Sequence, residues 1–280
     1  MNALEIRGLC KSFKGFELKN VDLILPSGYI LGLIGENGAG KSTVIRLIMD
    51  LIKRDSGSIT VLGKDNKKNF SVTKEDLGVV LDYSGFPRCL NAKQINKVMR
   101  LTYKNWDERQ FSEYLERFDI PKDKQFKDYS RGMQMKLGIA TALSHDPKLL
   151  ILDEATNGLD PVVRDDVNGL LNEFTRDESH SVLISSHIVS DLEKLCDYIA
   201  FLHKGRLILC EEKDRLLDEF ALIQCSKEDF EKIPKSAVRG VKRSVYNVEA
   251  VAERSALPAG VRTRPVTIEE LFVFMVKEGA

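Results

Sequence analysis

The stretch from Tyr29 to Lys53, YILGLIGENGAGKSTVIRLIMDLIK, decides the architecture. Tyr29 to Ile34 is a continuous apolar run bounded by glycines, the pattern of a strand buried on both faces in a parallel sheet. From Thr43 to Lys53 the period changes, and Val44, Leu47, Ile48 and Leu51 fall on one face of a helix. Between them, Gly35 to Ser42 (GENGAGKS) fits GxxxxGK[ST], the phosphate-binding loop, in the strand-to-helix setting it requires. Its glycines let the backbone curl so that successive N–H groups and the helix N-terminus face nucleotide phosphates. In that role Lys41 neutralises the β- and γ-phosphates and the Ser42 hydroxyl ligates Mg2+.

Working outward, Leu4 to Arg7 and Val21 to Leu25 alternate as strands and stop at Pro26-Ser27-Gly28, which predicts an antiparallel β region ahead of the loop strand. Residues 58–62 and 77–81 read as further strands, whereas 91–118 is charged, aromatic and helix-periodic. Pro121 interrupts that stretch and Arg131 to Leu143 resumes it, giving a helical insertion over about residues 88–144. Lys148 to Leu152 and Ser181 to Ser185 are again apolar strands, separated by a polar helical segment over 162–177. The expected class is α/β: a parallel sheet covered by helices, with the antiparallel region at its start.

After about Phe220 the character changes. Residues 226–243 are rich in Lys and Glu, and three of the eight prolines (Pro234, Pro258, Pro265) fall in the last 60 residues. We therefore divide the chain into a main domain over 1–220 and a small α+β appendage over 221–280. The appendage ends in a capping box, Thr267-Ile268-Glu269-Glu270, opening an apolar-faced helix over Leu271 to Val276.

A second chemical element follows the helical insertion. Leu149 to Glu154 (LLILDE) is a buried strand ending in two carboxylates. At the carboxyl end of a parallel strand beside the phosphate loop, Asp153 can hold the shell of Mg2+ while Glu154 polarises an attacking water. An apolar strand followed by an acid is common by itself; its order after the loop gives it weight.

The stretch from Tyr129 to Pro161, YSRGMQMKLGIATALSHDPKLLILDEATNGLDP, resembles the signature motif, Walker B strand and D-loop of the ATP-binding-cassette (ABC) ATPases. With the loop at 35–42 and Ser186-His187, the resemblance spans about residues 4–215 and implies a P-loop NTPase core. It implies ATP and Mg2+ as ligands, with Asn37, Gly38, Ala39, Gly40, Lys41, Ser42 and Thr43 around the phosphates. Phe13 stands where the family stacks an aromatic on adenine, although a packed core phenylalanine is the alternative. Glu154 corresponds to the catalytic glutamate. His187, 34 residues after Asp153, corresponds to the switch histidine that contacts the γ-phosphate and attacking water. Asn157 to Asp160 match the D-loop, which couples two nucleotide sites. Ser130 and Gly132 are expected to reach across a head-to-tail dimer to the ATP of the other subunit.

Two stretches depart from the family pattern, the end of the 77–81 strand and the signature. Where it places a magnesium-ligating glutamine, this chain has Asp82, which can still supply an oxygen to Mg2+ but adds negative charge near the γ-phosphate. Arg131 replaces the first glycine of the signature, and Met133 its glutamine. Both leave binding expected and bear on turnover rate.

Composition bounds the rest. Forty-two basic against 42 acidic side chains give zero formal net charge, and 43% hydrophobic with 30% charged residues is the balance of a globular protein with a substantial core. Neutrality speaks against a nucleic-acid partner. No stretch reaches the roughly 18 apolar residues needed to cross a bilayer, and the first fifteen residues do not read as a secretion signal. The five cysteines are spaced as reduced packing residues. The resemblance implies the ATPase subunit of a transporter at the cytoplasmic face of the membrane. Its membrane-spanning partner is a separate chain docking near an 82–105 groove, with Phe86, Pro87 and Trp106 as apolar candidates, though Trp106 suits the core equally. Closure on ATP joins it to a second copy or a similar cassette. The form of the motifs resembles bacterial ABC-2 type exporters of peptide or antibiotic cargo. The competing readings are a soluble ABC ATPase acting on ribosomes or DNA and a slow-turnover nucleotide-dependent regulator.

Overall fold

The computed structural model describes residues 1–68, 74–81, 85–157, 159–244, 247–258 and 260–278. The chain opens with strands β1 (Asn2–Phe13) and β2 (Phe16–Pro26), followed by β3 (Ile30–Ile34), helix α1 (Lys41–Ile48), β4 (Ser56–Val61), β5 (Lys64–Asp65) and β6 (Leu77–Val80). The helical insertion holds α2 (Ala92–Thr102), α3 (Glu108–Arg117) and α4 (Arg131–Leu143). Then come β7 (Leu149–Asp153), α5 (Pro161–Phe174), β8 (Ser181–Ser186), α6 (Val189–Leu195), β9 (Tyr198–His203) and β10 (Arg206–Glu212). Helix α7 (Lys213–Glu219) leads to β11 (Phe220–Cys225), α8 (Lys227–Phe230), β12 (Val238–Arg243), β13 (Val248–Glu253), β14 (Thr263–Pro265) and α9 (Ile268–Glu278).

The central sheet has the order β10-β9-β3-β8-β7-β6, with β9 through β6 parallel and β10 antiparallel at the edge. Its inner strands are buried along almost their whole length because both faces are covered. Along β3, Ile30 and Ile34 join the cluster under the helices, while Leu31 and Leu33 join the one shared with Leu4, Ile6 and Leu23 of the antiparallel sheet β2-β1-β4-β5. Leu150 and Leu152 of β7 divide from Leu149 and Ile151 in the same way. Ile34 pairs with Ser186 and Asp153 with Ser185, so β3, β7 and β8 end level, and the loops leaving them form one rim.

Two helix boundaries differ from the sequence expectation. The loop helix ends at Ile48 rather than near Lys53, because Asp50 turns left-handed at φ 52° while its N–H reaches the Leu47 carbonyl and that of Leu51 reaches Arg46. This helix-closing turn leaves Leu51 exposed, off the apolar face. The stretch 91–118 is two helices, since the Asp107 carboxylate accepts the amides of Arg109 and Gln110 and starts α3 afresh. Trp106, just before that cap, turns inward: its ring lies 5.1 Å from that of Phe111, and its Nε1 donates to Asn96 Oδ1 at 2.7 Å.

The last segment forms a third, antiparallel sheet, β12-β13-β11-β14, and the Thr267–Glu270 capping box is present. Helix α9 packs into the main core, with the Phe272 ring 5.1 Å from that of Phe201 on β9. Gly240 of β12 permits this, because a Cβ there would lie 2.3 Å from the Phe274 carbonyl oxygen. Among the described residues no helix is long and apolar enough to cross a membrane.

Candidate nucleotide site

The loop between β3 and α1 is held from behind by backbone. A Cβ on Gly35 would stand 2.4 Å from the Leu202 carbonyl oxygen, and Gly205 N donates to Ala39 O at 3.0 Å. Gly38 and Gly40 take φ of 83° and 112°, values that side chains disfavour. Together they turn the chain so that α1 begins at Lys41 with its first amides facing the cleft. The cleft measures about 570 Å³ and is lined by Gly15, Phe16, Glu36, Asn37, Gly38, Gly40, Lys41, Ser42, Thr43, Glu154 and Asn157.

Lys41 is 5% exposed, yet its ammonium group is fully engaged: Nζ donates to Gly35 O at 2.7 Å and Glu36 O at 3.2 Å and faces Glu154 Oε1 at 3.1 Å. The other oxygen of Glu154 lies 2.8 Å from His187 Nδ1. Glu154 itself sits at φ 54°, an uncommon conformation for a residue with a Cβ, and its N–H is held by the Ser185 carbonyl and hydroxyl, each at 3.1 Å. That hydroxyl in turn donates to Asp153 Oδ1 at 2.6 Å. One oxygen of the buried Asp153 thus has a fixed partner. A chain of contacts runs Lys41, Glu154, His187 across the ends of three adjacent strands.

The residues predicted for the phosphates therefore converge. Asn37, Gly38, Gly40, Lys41, Ser42 and Thr43 line the cleft, while Ala39 is buried beneath it. Phe13 is 45% exposed at the end of the β1–β2 hairpin and is not among the lining residues; its ring is 6.5 Å from that of Phe16, which is. Ser130 and Gly132 lie at the N-terminus of α4 and are not among the residues that line this cleft. Ser130 caps the helix through its hydroxyl, and a Cβ on Gly132 would meet Leu159 at 3.6 Å. Asp160 caps α5 by accepting the Val163 amide. Asp82 lies outside the described residues. Phe16, Gly15 and Asn157 were not anticipated as lining residues. Phe16 carries the one available signal, since it begins the strand that returns from the hairpin to the loop.

The donor set suits a nucleotide and its cation. A Cβ at Gly40 would collide with Phe16 at 2.7 Å, so the turn accepts only glycine, and the buried Lys41 offers positive charge in the cleft. Ser42 and Asp153 offer one hydroxyl and one carboxylate, the sparse oxygen set from which Mg2+ is held together with waters and phosphate oxygens.

Comparison with known proteins agrees. The ABC transporter family matches residues 18–157. The ABC transporter ATP-binding protein YtrB of Bacillus subtilis (strain 168) is 31% identical over 283 residues, spanning 96% of this chain and 97% of that protein. The bacitracin transport ATP-binding protein BcrA of Enterococcus faecalis is 32% identical over 208 residues, covering 73% of this chain and 68% of that protein. A solved ATP-binding subunit of an ABC transporter superposes with a TM-score of 0.70 at 25% identity, over 76% of this chain and 91% of that one. The phosphate loop, the paired carboxylates at the end of β7 and this full-length likeness lead to one conclusion: the chain belongs to the ABC transporter family, as an ATP-binding and ATP-hydrolysing subunit.

Proposed function

We propose that this subunit powers export of a peptide or antibiotic cargo through a membrane-spanning subunit on a separate chain, at the cytoplasmic face of the membrane. The observation that carries the chemistry is the Lys41–Glu154–His187 chain of contacts on the rim of β3, β7 and β8. In the working cycle Lys41 leaves Glu154 for the β- and γ-phosphates of ATP. The freed Glu154 carboxylate polarises water for attack on the γ-phosphate, and His187 holds that carboxylate and the water in line. Ser42 and Asp153, with Asp82, would hold Mg2+, which neutralises charge on the phosphate oxygens. Phe16 supplies the aromatic side of the nucleotide cleft, and Phe13, exposed on the hairpin with its ring 6.5 Å from that of Phe16, would extend it to the adenine. Ser130, Gly132 and Asp160, which are not among the residues that line the cleft of their own chain, complete the site of a second cassette when two close face to face on ATP.

The transport role draws on a second surface. An apolar groove of about 470 Å³, lined in part by Leu81, Phe86, Pro87, Val98 and Met99, opens between β6 and the helical insertion. It suits a short apolar-faced helix of the membrane subunit. The cargo class follows the relatives, which include bacitracin and lantibiotic transport ATP-binding proteins. Phosphate release measured for wild type and Glu154→Gln tests the chemistry: wild type is expected to turn over and the variant to lose at least ~100-fold. Turnover that persists unchanged in the variant removes Glu154 from its role. Co-expression with the membrane protein of the neighbouring gene tests the transport reading, which fails if only ribosomal or DNA partners are recovered.

A further inference from the structure

The loops that leave Glu154 and His187 are joined by one polar strut. Arg164, in the first turn of α5, places Nη1 2.9 Å from Asp191 Oδ1 in the first turn of α6, and Nη2 donates to the Leu159 carbonyl at 3.1 Å. Asp191 is buried at 9% exposure, and the Arg164 side chain is 24% exposed. Arg164 Nε and Asp191 Oδ2 are buried and have no hydrogen-bond partner. A buried pair left partly unsatisfied is a poor stabilising device, because desolvation of both ions offsets most of their attraction. Its placement is more specific than its energy. Leu159 is five residues past Glu154 and is the side chain that faces Gly132 of the α4 N-terminus. Asp191 is four residues past His187, on the helix that the His187 loop starts. A guanidinium is suited to this task because its planar fork fixes two acceptors at once.

We infer that Arg164 and Asp191 are positioning residues for ATP hydrolysis, setting the distance between His187 and Glu154 by tying Leu159 to the start of α6. This rests on the assignment of Glu154 and His187 to the chemistry. The strut acts on geometry and leaves the phosphate loop untouched, so its loss is expected in turnover rather than in binding. A displacement of about 1 Å at reacting groups is enough to cost on the order of 100-fold.

The test compares Arg164→Met, Arg164→Lys, Asp191→Asn and Arg164→Met/Asp191→Asn with wild type, by phosphate release across ATP concentrations and by equilibrium binding of a fluorescent ATP analogue. Expected are kcat losses of about 10-fold or more for Arg164→Met and Asp191→Asn, with KM and analogue affinity within about 2-fold. Arg164→Lys keeps the charge but not the fork and is expected to remain impaired. The double variant should be no worse than either single one, and adding Arg164→Met to His187→Ala should bring no further loss. Losses that multiply on the His187→Ala background overturn the proposal, as do equal losses in analogue binding or full activity in Arg164→Lys. Thermal unfolding of each variant identifies any that fails to fold; the Asn and Lys variants, close in shape to the native residues, then carry the test. If Glu154→Gln turns over like wild type, the underlying site assignment fails instead, which separates the two failures.

Discussion

Lys41 Nζ and Glu154 Oε1 lie 3.1 Å apart, with side chains 5% and 12% exposed. The cation assigned to the phosphates is therefore already neutralised by the carboxylate assigned to water activation. On the proposed assignment, ATP competes with Glu154 for Lys41, and the exchange couples filling of the cleft to release of the base. At this degree of burial the attraction is screened much less than on the surface.

Glu154→Gln should accordingly do two opposite things. Without nucleotide it leaves Lys41 with only carbonyl partners, lowering stability by about 1–3 kcal/mol. With nucleotide it removes a competitor and tightens ATP binding several-fold while turnover collapses. Melting temperatures with and without ATP, together with a binding isotherm, check both parts. Weaker ATP binding in the variant would contradict the competition.

Gly205→Ala should disturb the loop from behind. Gly205 has φ 76°, and a Cβ there would lie 1.8 Å from the Glu17 carbonyl oxygen; its own N–H supports Ala39, and its carbonyl accepts Lys19 N at 2.8 Å. The expected cost is at least ~2 kcal/mol from strain plus collision, with weakened nucleotide binding as the Ala39 contact shifts. Gly63→Ala is the control, since it shares a positive φ of 77° but meets nothing within 4 Å, and should cost about 1 kcal/mol with no change in binding. Chemical denaturation and a binding titration on both variants separate collision from backbone strain.

The contrast between what the residues announced and what they did not has a physical pattern. Strands β3, β7 and β8 are legible because burial on both faces leaves an uninterrupted apolar run, and the loop is legible because its glycines and Lys41 are required by short-range geometry. The end of α1 is not, because Leu51 keeps the helical spacing while Asp50 silently takes the left-handed turn. The break at Asp107 was hidden in the same way by continuing periodicity across a cap. Phe16 and Arg164 were missed for a different reason. Their partners, Gly40 and Asp191, are distant in sequence, and apart from the place of Phe16 at the start of β2 no local pattern marks a contact made only by the closed topology.

His145 gives the fold an acid limit. It is buried, stacks on Tyr103 with ring centroids 4.0 Å apart, and points Nε2 at the Leu77 carbonyl at 3.1 Å. Burial holds its pKa below the ordinary imidazole range, against the smaller opposing pull of the Leu77 and Thr141 carbonyls and of nearby acids. The folded state thus binds fewer protons than the unfolded one as pH falls below about 6.5. Stability is fully present above that value and declines below it, at up to about 1.4 kcal/mol per pH unit from this group, until the folded pKa is reached. His145→Phe should flatten that part of the stability curve, read from denaturant midpoints between pH 5 and 7; an unchanged slope would assign it to other groups.

The groove beside the helical insertion makes the last prediction. Leu101 is 86% exposed and Val98 44%, three residues apart on α2, while Trp106 from the same region is tied to Asn96 and the core. Exposed apolar side chains at this spacing beside an apolar groove fit a partner helix better than solvent. Leu101→Glu with Val98→Glu should therefore abolish co-purification with the membrane subunit, since burying two unpaired carboxylates there is prohibitive. Phosphate release by the isolated chain should stay within about 2-fold, because neither residue touches the nucleotide cleft. Trp106→Ala should behave in the reverse manner, lowering stability by about 1–3 kcal/mol as the half-buried ring loses its packing on Phe111 and its hydrogen bond to Asn96. Retained co-purification of the double glutamate variant would move the docking surface elsewhere on the cassette.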